Sequence, residues 1–153
     1  MTPRHELPVI LMADDDEEDC MLTRDALREG HLLNPLYFVH DGQDLLHYLR
    51  HIGRYATEDA PYPSIVLLDL NMPRKDGREA LREIKLDPNL RRIPVIILTT
   101  SSSEIDIYKS YDLGANAYIV KPVTFDALVK VMQGMAAFWF QIVEFSDAGK
   151  PAR

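Results

Sequence analysis

The sequence predicts a doubly wound α/β domain built on a five-stranded parallel sheet. Two features carry this expectation. Short apolar runs alternate with amphipathic stretches five times along the 153 residues, the rhythm of repeated βα units. The runs Ile65–Leu68 and Val95–Leu98 are apolar without alternation, as in central strands covered on both faces by helices. The length suits one domain with one core.

Each element has a local reason. Val9–Ala13 reads as a buried strand ended by acids. Residues from about Glu17 to Gly30 form a helix, with Cys20, Leu22, Ala26 and Leu27 among its apolar positions and Gly30 at its stop. Tyr37–His40 is a second strand closed by Asp41-Gly42, and Gln43–Ile52 a second helix. Gly53 to Pro63 is a polar, proline-containing connection, long for an α/β unit. Ser64–Asp69 and Ile93–Thr99 are the third and fourth strands, each followed by a helix, Gly77–Leu86 and Glu104–Leu113. Ala117–Val120 is the fifth strand, and an extended last helix runs from Thr124 to about Phe145. Right-handed crossovers leave few topologies, and the flavodoxin-like order 2-1-3-4-5 is the natural choice. The domain spans residues 1–145, with a core over about 8–130, and 146–153 form a tail.

Composition excludes several functions. Apolar residues at 46% and charged residues at 27% describe a folded chain rather than a disordered one. A net charge of -7 disfavours nucleic acid, whose backbone needs a basic face. The longest apolar-rich stretch, Val131 to Phe145, is interrupted by Gln133, Gly134, Gln141 and Glu144. It is too short and polar to span a bilayer, so no membrane association is expected. The lone Cys20 and the absence of an apolar leader point to the cytoplasm. His47 and His51 stand four apart, but Tyr-Leu-Arg lies between them and no third ligand follows.

In open α/β sheets the site lies outside the carboxyl ends of the strands. Strand one ends in Asp14-Asp15, strand three in Asp69, strand four in Thr99 and strand five in Lys121. The proposed order makes these strands neighbours, so three carboxylates, a hydroxyl and an ammonium converge. Clustered carboxylates repel one another unless a hard cation sits among them, and Mg²⁺ suits that donor set. An ammonium and a hydroxyl opposite the metal would grip phosphoryl oxygens. A carboxylate can itself be the nucleophile, giving an acyl phosphate. Six acids run from Asp14 to Asp19. Asp16, Glu17, Glu18 and Asp19 are explained as first-turn acids that cap the next helix and favour its dipole. Asp14 and Asp15 are left for the site.

The segments Ile65–Gly77, Pro94–Thr100 and Gly114–Pro122 resemble the phosphoacceptor region of two-component response regulators, and the resemblance covers roughly residues 8 to 144. It implies a stand-alone receiver that accepts a phosphoryl group from a histidine kinase on Asp69, with Mg²⁺ as cofactor. Asp15 and Asp69 would hold the metal by side chains, Asn71 by its backbone carbonyl, and Asp14 through water. Thr99 would hydrogen-bond a phosphoryl oxygen, and Lys121 would pair with Asp69 or its phosphate. Tyr118 occupies the aromatic switch position, coupled to Thr99. The resemblance also implies a cis Lys121–Pro122 bond, an isomer about 0.5–1 kcal/mol above trans for X-Pro. The insertion before strand three, Pro73–Glu79 and the Phe138-Trp139 pair are similar to small regulators that partner bacterial phytochromes, so the kinase is expected to be of bacteriophytochrome type. Two other readings are weaker. A phosphatase with an aspartyl-phosphate intermediate wants a second Asp two residues after the nucleophile, where this chain has Asn71. A module that binds without being phosphorylated would not need all the strand-end groups.

The last helix carries more apolar surface than one docking face hides. Phe125, Leu128, Val129, Met132 and Ala136 follow helical spacing and should pack on the sheet. A second stripe, Val131, Met135, Phe138, Ile142 and Phe145, lies roughly 120° around a helix about 33 Å long. Left exposed, that stripe would serve a two-fold homodimer.

Overall fold

A computed structural model of the chain describes residues 7–141. Five strands, β1 (Ile10–Ala13), β2 (Leu36–Val39), β3 (Ile65–Leu68), β4 (Val95–Thr99) and β5 (Ala117–Val120), form one parallel sheet in the order β2-β1-β3-β4-β5. All neighbouring pairs are parallel, with Ile10 opposite both Leu36 and Ile65, Val66 opposite Val95, and Ile96 opposite Ala117. The helices are α1 (Glu17–Glu29), α2 (Gly42–Arg50), α3 (Gly77–Leu86), α4 (Glu104–Asp112) and α5 (Phe125–Gln141). This is the predicted doubly wound, flavodoxin-like fold.

The helices start where short polar side chains can accept their first free N–H groups. Asp16 takes the N–H groups of Glu18 and Asp19 at 2.9 and 3.3 Å, and Asp41 that of Asp44 at 2.7 Å. Asp76, Ser103 and Thr124 do the same for α3, α4 and α5. Alternate residues of each central strand then face opposite layers. Leu11, Val66, Leu68, Val95 and Ile97 face α2 and α3, with Leu45, Leu49, Leu81 and Ile84. Ile10, Met12, Ile65, Leu67, Ile96 and Leu98 face α1 and α5, with Ala26, Leu27, Met132 and Met135. The long connection after α2 is anchored by its own packing: a 3₁₀ turn at Gly53–Ala56 buries Tyr55 against Tyr48, whose hydroxyl donates to the Pro61 carbonyl at 2.8 Å. Helix α4 is seated lightly: Ser110 is its buried residue, while Ile105, Tyr108 and Tyr111 face solvent.

Helix α5 corrects the expectation of an exposed second stripe. Met135 is 5% exposed and belongs to the core, and Val131 packs against the same cluster. The reason is that α5 lies beside α1 as well as on the sheet, so two of its faces find cover. Phe125, expected to pack on the sheet, is instead exposed at the start of the helix. Trp139 packs against the core cluster, and Phe138, edge-on to it at 5.4 Å between ring centres, is half exposed. Ile142 and Phe145 lie outside the described residues.

Candidate functional site

The carboxyl edge of the sheet brings together most of the predicted residues. Asp14, directly after β1, is fully buried, and Asp69, directly after β3, is 8% exposed. Thr99, the last residue of β4, is buried, and its hydroxyl donates to Asp69 Oδ1 at 2.7 Å. Lys121 follows β5, and its N–H donates to the Thr99 carbonyl at 2.7 Å, which aims the side chain back across the sheet. Its Nζ lies 2.7 Å from Asp14 Oδ2, 2.6 Å from Asp19 Oδ2 and 3.3 Å from Asp69 Oδ2. This is achieved with a trans Lys121–Pro122 bond, since no cis peptide occurs among the described residues. The expected cis isomer is therefore not formed: the flexible lysine side chain reaches the carboxylates without it.

Asp14, Asp15 and Asp69 each offer an oxygen within 4.8 Å of the other two. Three hard oxygen donors at that spacing fit a divalent cation of the Mg²⁺ or Mn²⁺ kind. Asp15 faces solvent, and Asn71 is exposed beside Asp69, its N–H donating to Asp69 Oδ1 at 3.5 Å. Among the described residues this trio is the group of acids, histidines and cysteines spaced to hold a metal, and His47 and His51 are not part of one. His47 meets Gln43 at 2.7 Å, and His51 ends α2 in the left-handed region.

The electrostatics follow from burial and pairing. Burial pushes the Asp14 carboxyl above its ordinary range, against the pull of Lys121 and the Asp16 N–H. Burial also works against the charge on Lys121, but hydrogen bonds to Asp14 and Asp19 and the charges of Asp14 and Asp69 outweigh it, and the net shift is upward. The ammonium is therefore held charged. Burial, helped by Asp14, Glu17 and Asp19, pushes the Cys20 thiol up to about 12. It stays protonated, its Sγ 3.7 Å from the Asp14 carbonyl oxygen, and is a small residue of α1 rather than a reactive thiol.

The loop after β3 is held from two sides. The Gly77 N–H donates to the Leu70 carbonyl at 2.8 Å, and a Cβ on Gly77 would stand 2.1 Å from the carbonyl oxygen of Asp69. Only glycine allows that approach. Arg74, at φ 63°, sends its guanidinium to the buried Asp41, with Nε 2.9 Å from Oδ2. Burial alone would raise the Asp41 carboxyl, but the Asp44 N–H and Arg74 lower it overall. Tyr118 is half-buried and its hydroxyl donates to the Ser101 carbonyl at 2.9 Å. Ser101 in turn donates to Asp106, which Arg78 of α3 grips at 3.0 Å. The predicted switch residue thus reaches the loop that opens α4.

The profile of the response regulator receiver domain matches residues 10–133. The chain belongs to the response regulator receiver family. Response regulator Rcp1 of Synechocystis sp. is 42% identical over 140 residues, covering 92% of this chain and 94% of that protein. A crystal structure of the phosphorylated cyanobacterial phytochrome response regulator RcpA is 40% identical, with a TM-score of 0.85 over 92% of this chain and 99% of that one. A Mn²⁺-bound form of Rcp1 is 40% identical, with a TM-score of 0.81 over 91% and 99%. As a receiver, the chain is a signalling protein, and its acidic trio is a divalent-cation site of the kind this family uses. One residue of the site, Asp19, escaped the sequence analysis, which explained it as a helix-dipole acid. Its place on the first turn of α1 carried no signal of this role, because its partner Lys121 lies 102 residues further along the chain.

Proposed function

We propose that this receiver takes a phosphoryl group on Asp69 from the phosphohistidine of a histidine kinase, with Mg²⁺ as its cation, and signals by changing shape. The observation that carries the reading is the setting of Asp69: Thr99 at 2.7 Å, Lys121 at 3.3 Å, and Asp14 and Asp15 within 4.8 Å. The cation, held by Asp15 and Asp69 with the Asn71 carbonyl and with Asp14 through water, would neutralise charge on the transferring group. Thr99 fixes Asp69 Oδ1, which orients the carboxylate. An Asp69 oxygen attacks phosphorus, the P–N bond breaks, and the histidine nitrogen leaves with its electron pair. Lys121 offers an N–H to the phosphoryl oxygens, and water later attacks phosphorus to restore the carboxylate. The protein promotes only its own loading and unloading and is not a turnover enzyme.

The likeness to RcpA, a cyanobacterial phytochrome response regulator, supports a phytochrome-type kinase as the partner. Thr99 would move toward the new oxygens and Tyr118 would follow, altering the lightly seated α4. We place its action in the cytoplasm and away from nucleic acid, whose backbone a net charge of -7 disfavours. No described helix is long and apolar enough to cross a bilayer. A homodimer through α5 is part of the same proposal, centred on the exposed Phe138 rather than on the buried Met135. Sedimentation of wild type and Phe138→Asp tests this: a monomeric wild type at micromolar concentration refutes it. Acetyl phosphate with Mg²⁺, resolved on a phosphate-affinity gel, tests the main reading. Phosphoprotein is expected from wild type and none from Asp69→Asn, and uptake that survives the substitution would refute it.

A further inference from the structure

An ammonium has three N–H donors, and in this site three carboxylates take them. Asp14 Oδ2 stands at 2.7 Å, Asp19 Oδ2 at 2.6 Å and Asp69 Oδ2 at 3.3 Å. The longest of the three contacts is the one to the acceptor. Asp14 is shared: its Oδ1 also accepts the Asp16 N–H at 2.9 Å, and it belongs to the metal-spaced trio. Asp19 lies outside that trio, so a cation bound there does not take it away from Lys121. The backbone that carries Asp19 is held in place, because α1 is anchored by its buried Cys20, Thr23, Ala26 and Leu27. We propose that Asp19 is a positioning residue that holds the Lys121 ammonium back from Asp69 and so restrains phosphoryl loading.

The inference rests on Asp69 being the acceptor, and it concerns the rate and affinity of loading rather than its occurrence. A phosphoryl group on Asp69 needs an N–H from Lys121, and that N–H must be drawn from a lysine whose shortest contact is to Asp19. Replacing Asp19 by Asn keeps the shape and removes the competing charge. It also removes a negative charge facing an anionic donor. Both effects point the same way. The exposed Glu18, its neighbour on α1, supplies the control, because its removal changes the net charge equally without touching Lys121.

The test compares wild type, Asp19→Asn, Asp19→Glu and Glu18→Gln by three readouts. These are the rate of acyl phosphate formation from acetyl phosphate, the dissociation constant of beryllofluoride, and that of Mn²⁺ alone. Asp19→Asn should load roughly three- to tenfold faster and bind beryllofluoride tighter by a similar factor, the effect of exchanging a charge-assisted hydrogen bond for the weaker neutral one that the amide oxygen still accepts. Mn²⁺ affinity should change less than twofold. Asp19→Glu, which restores the charge on a longer arm, should return toward wild type, and Glu18→Gln should stay there. Unchanged or slower loading by Asp19→Asn would overturn the inference and leave the receiver reading standing. So would an equal gain in Glu18→Gln, which would reduce the effect to net charge. No uptake by wild type, or uptake in an Asp69→Asn chain, would overturn both.

Discussion

Asp69→Asn separates the chemistry of the site from its stability. The amide keeps the oxygen that accepts from Thr99 at 2.7 Å, so the buried hydroxyl stays satisfied. The charge change has two opposed parts. Asp69 attracts Lys121 across 3.3 Å, worth roughly 5 kcal/mol of Coulomb energy at an effective dielectric of about 20. It repels Asp14 across 4.8 Å or less, worth at least about 3.5 kcal/mol on the same scale. Asp15 adds a screened repulsion, and Lys121 keeps Asp14 and Asp19 as partners. The sum nearly cancels, so metal-free Asp69→Asn should melt within a few degrees of wild type. Mg²⁺ should then divide them. A ligand at 100 times its dissociation constant stabilises by about 2.7 kcal/mol, roughly 5–10 °C for a chain of this size. Wild type should gain that shift and the variant most of it lose. Thermal melts with and without Mg²⁺ check both halves. A variant that unfolds in metal-free buffer, or that keeps the full Mg²⁺ shift, would refute the electrostatic reasoning.

Three further outcomes are expected. Gly77→Ala should destabilise the domain by about 3 kcal/mol or more, because its Cβ would meet the Asp69 carbonyl oxygen at 2.1 Å and neither backbone can yield; urea midpoints measure it. Thr99→Val should slow loading roughly 10- to 100-fold, since it strips a charged hydrogen bond from the acceptor, and Thr99→Ser should restore most of the rate. Asp41 has a lowered folded pKa, so its contribution to stability is present above the unfolded value of about 3.9 and is lost as pH falls through the folded value. Arg74→Gly removes the guanidinium while suiting φ 63°, so urea unfolding of this variant should show a smaller loss of stability between pH 5 and pH 3 than wild type shows.

The sheet was legible because burial on both faces leaves an unmistakable pattern: Ile65–Leu68 and Val95–Leu98 are fully buried strands, and the topology follows once these and three further apolar runs alternate with helices. Helix α5 was misread for a different reason. Periodicity reports how many faces of a helix are apolar, not what covers each face. The stripe through Met135 is apolar because α1 lies against it, and the contact between two helices separated by most of the chain leaves no local mark. Phe138, one turn further on, is where that cover ends.

The site divides in the same way. Asp14, Asp69, Thr99 and Lys121 could be placed because a strand end is a fixed address on a parallel sheet, and the order of strands makes the addresses adjacent. Asp19 sits on a helix, where position along the chain does not say which strand end the side chain will meet. A first-turn acid already has a sufficient local explanation in the helix dipole, and Glu17 and Glu18 need no other. What distinguishes Asp19 is its azimuth. It is the one acid of the α1 first turn that turns inward, next to the buried Cys20, and it is there that the ammonium of Lys121 arrives from β5. An acid whose local role is complete can still hold a second one, and the second is set by the long-range placement of its partner, 102 residues away.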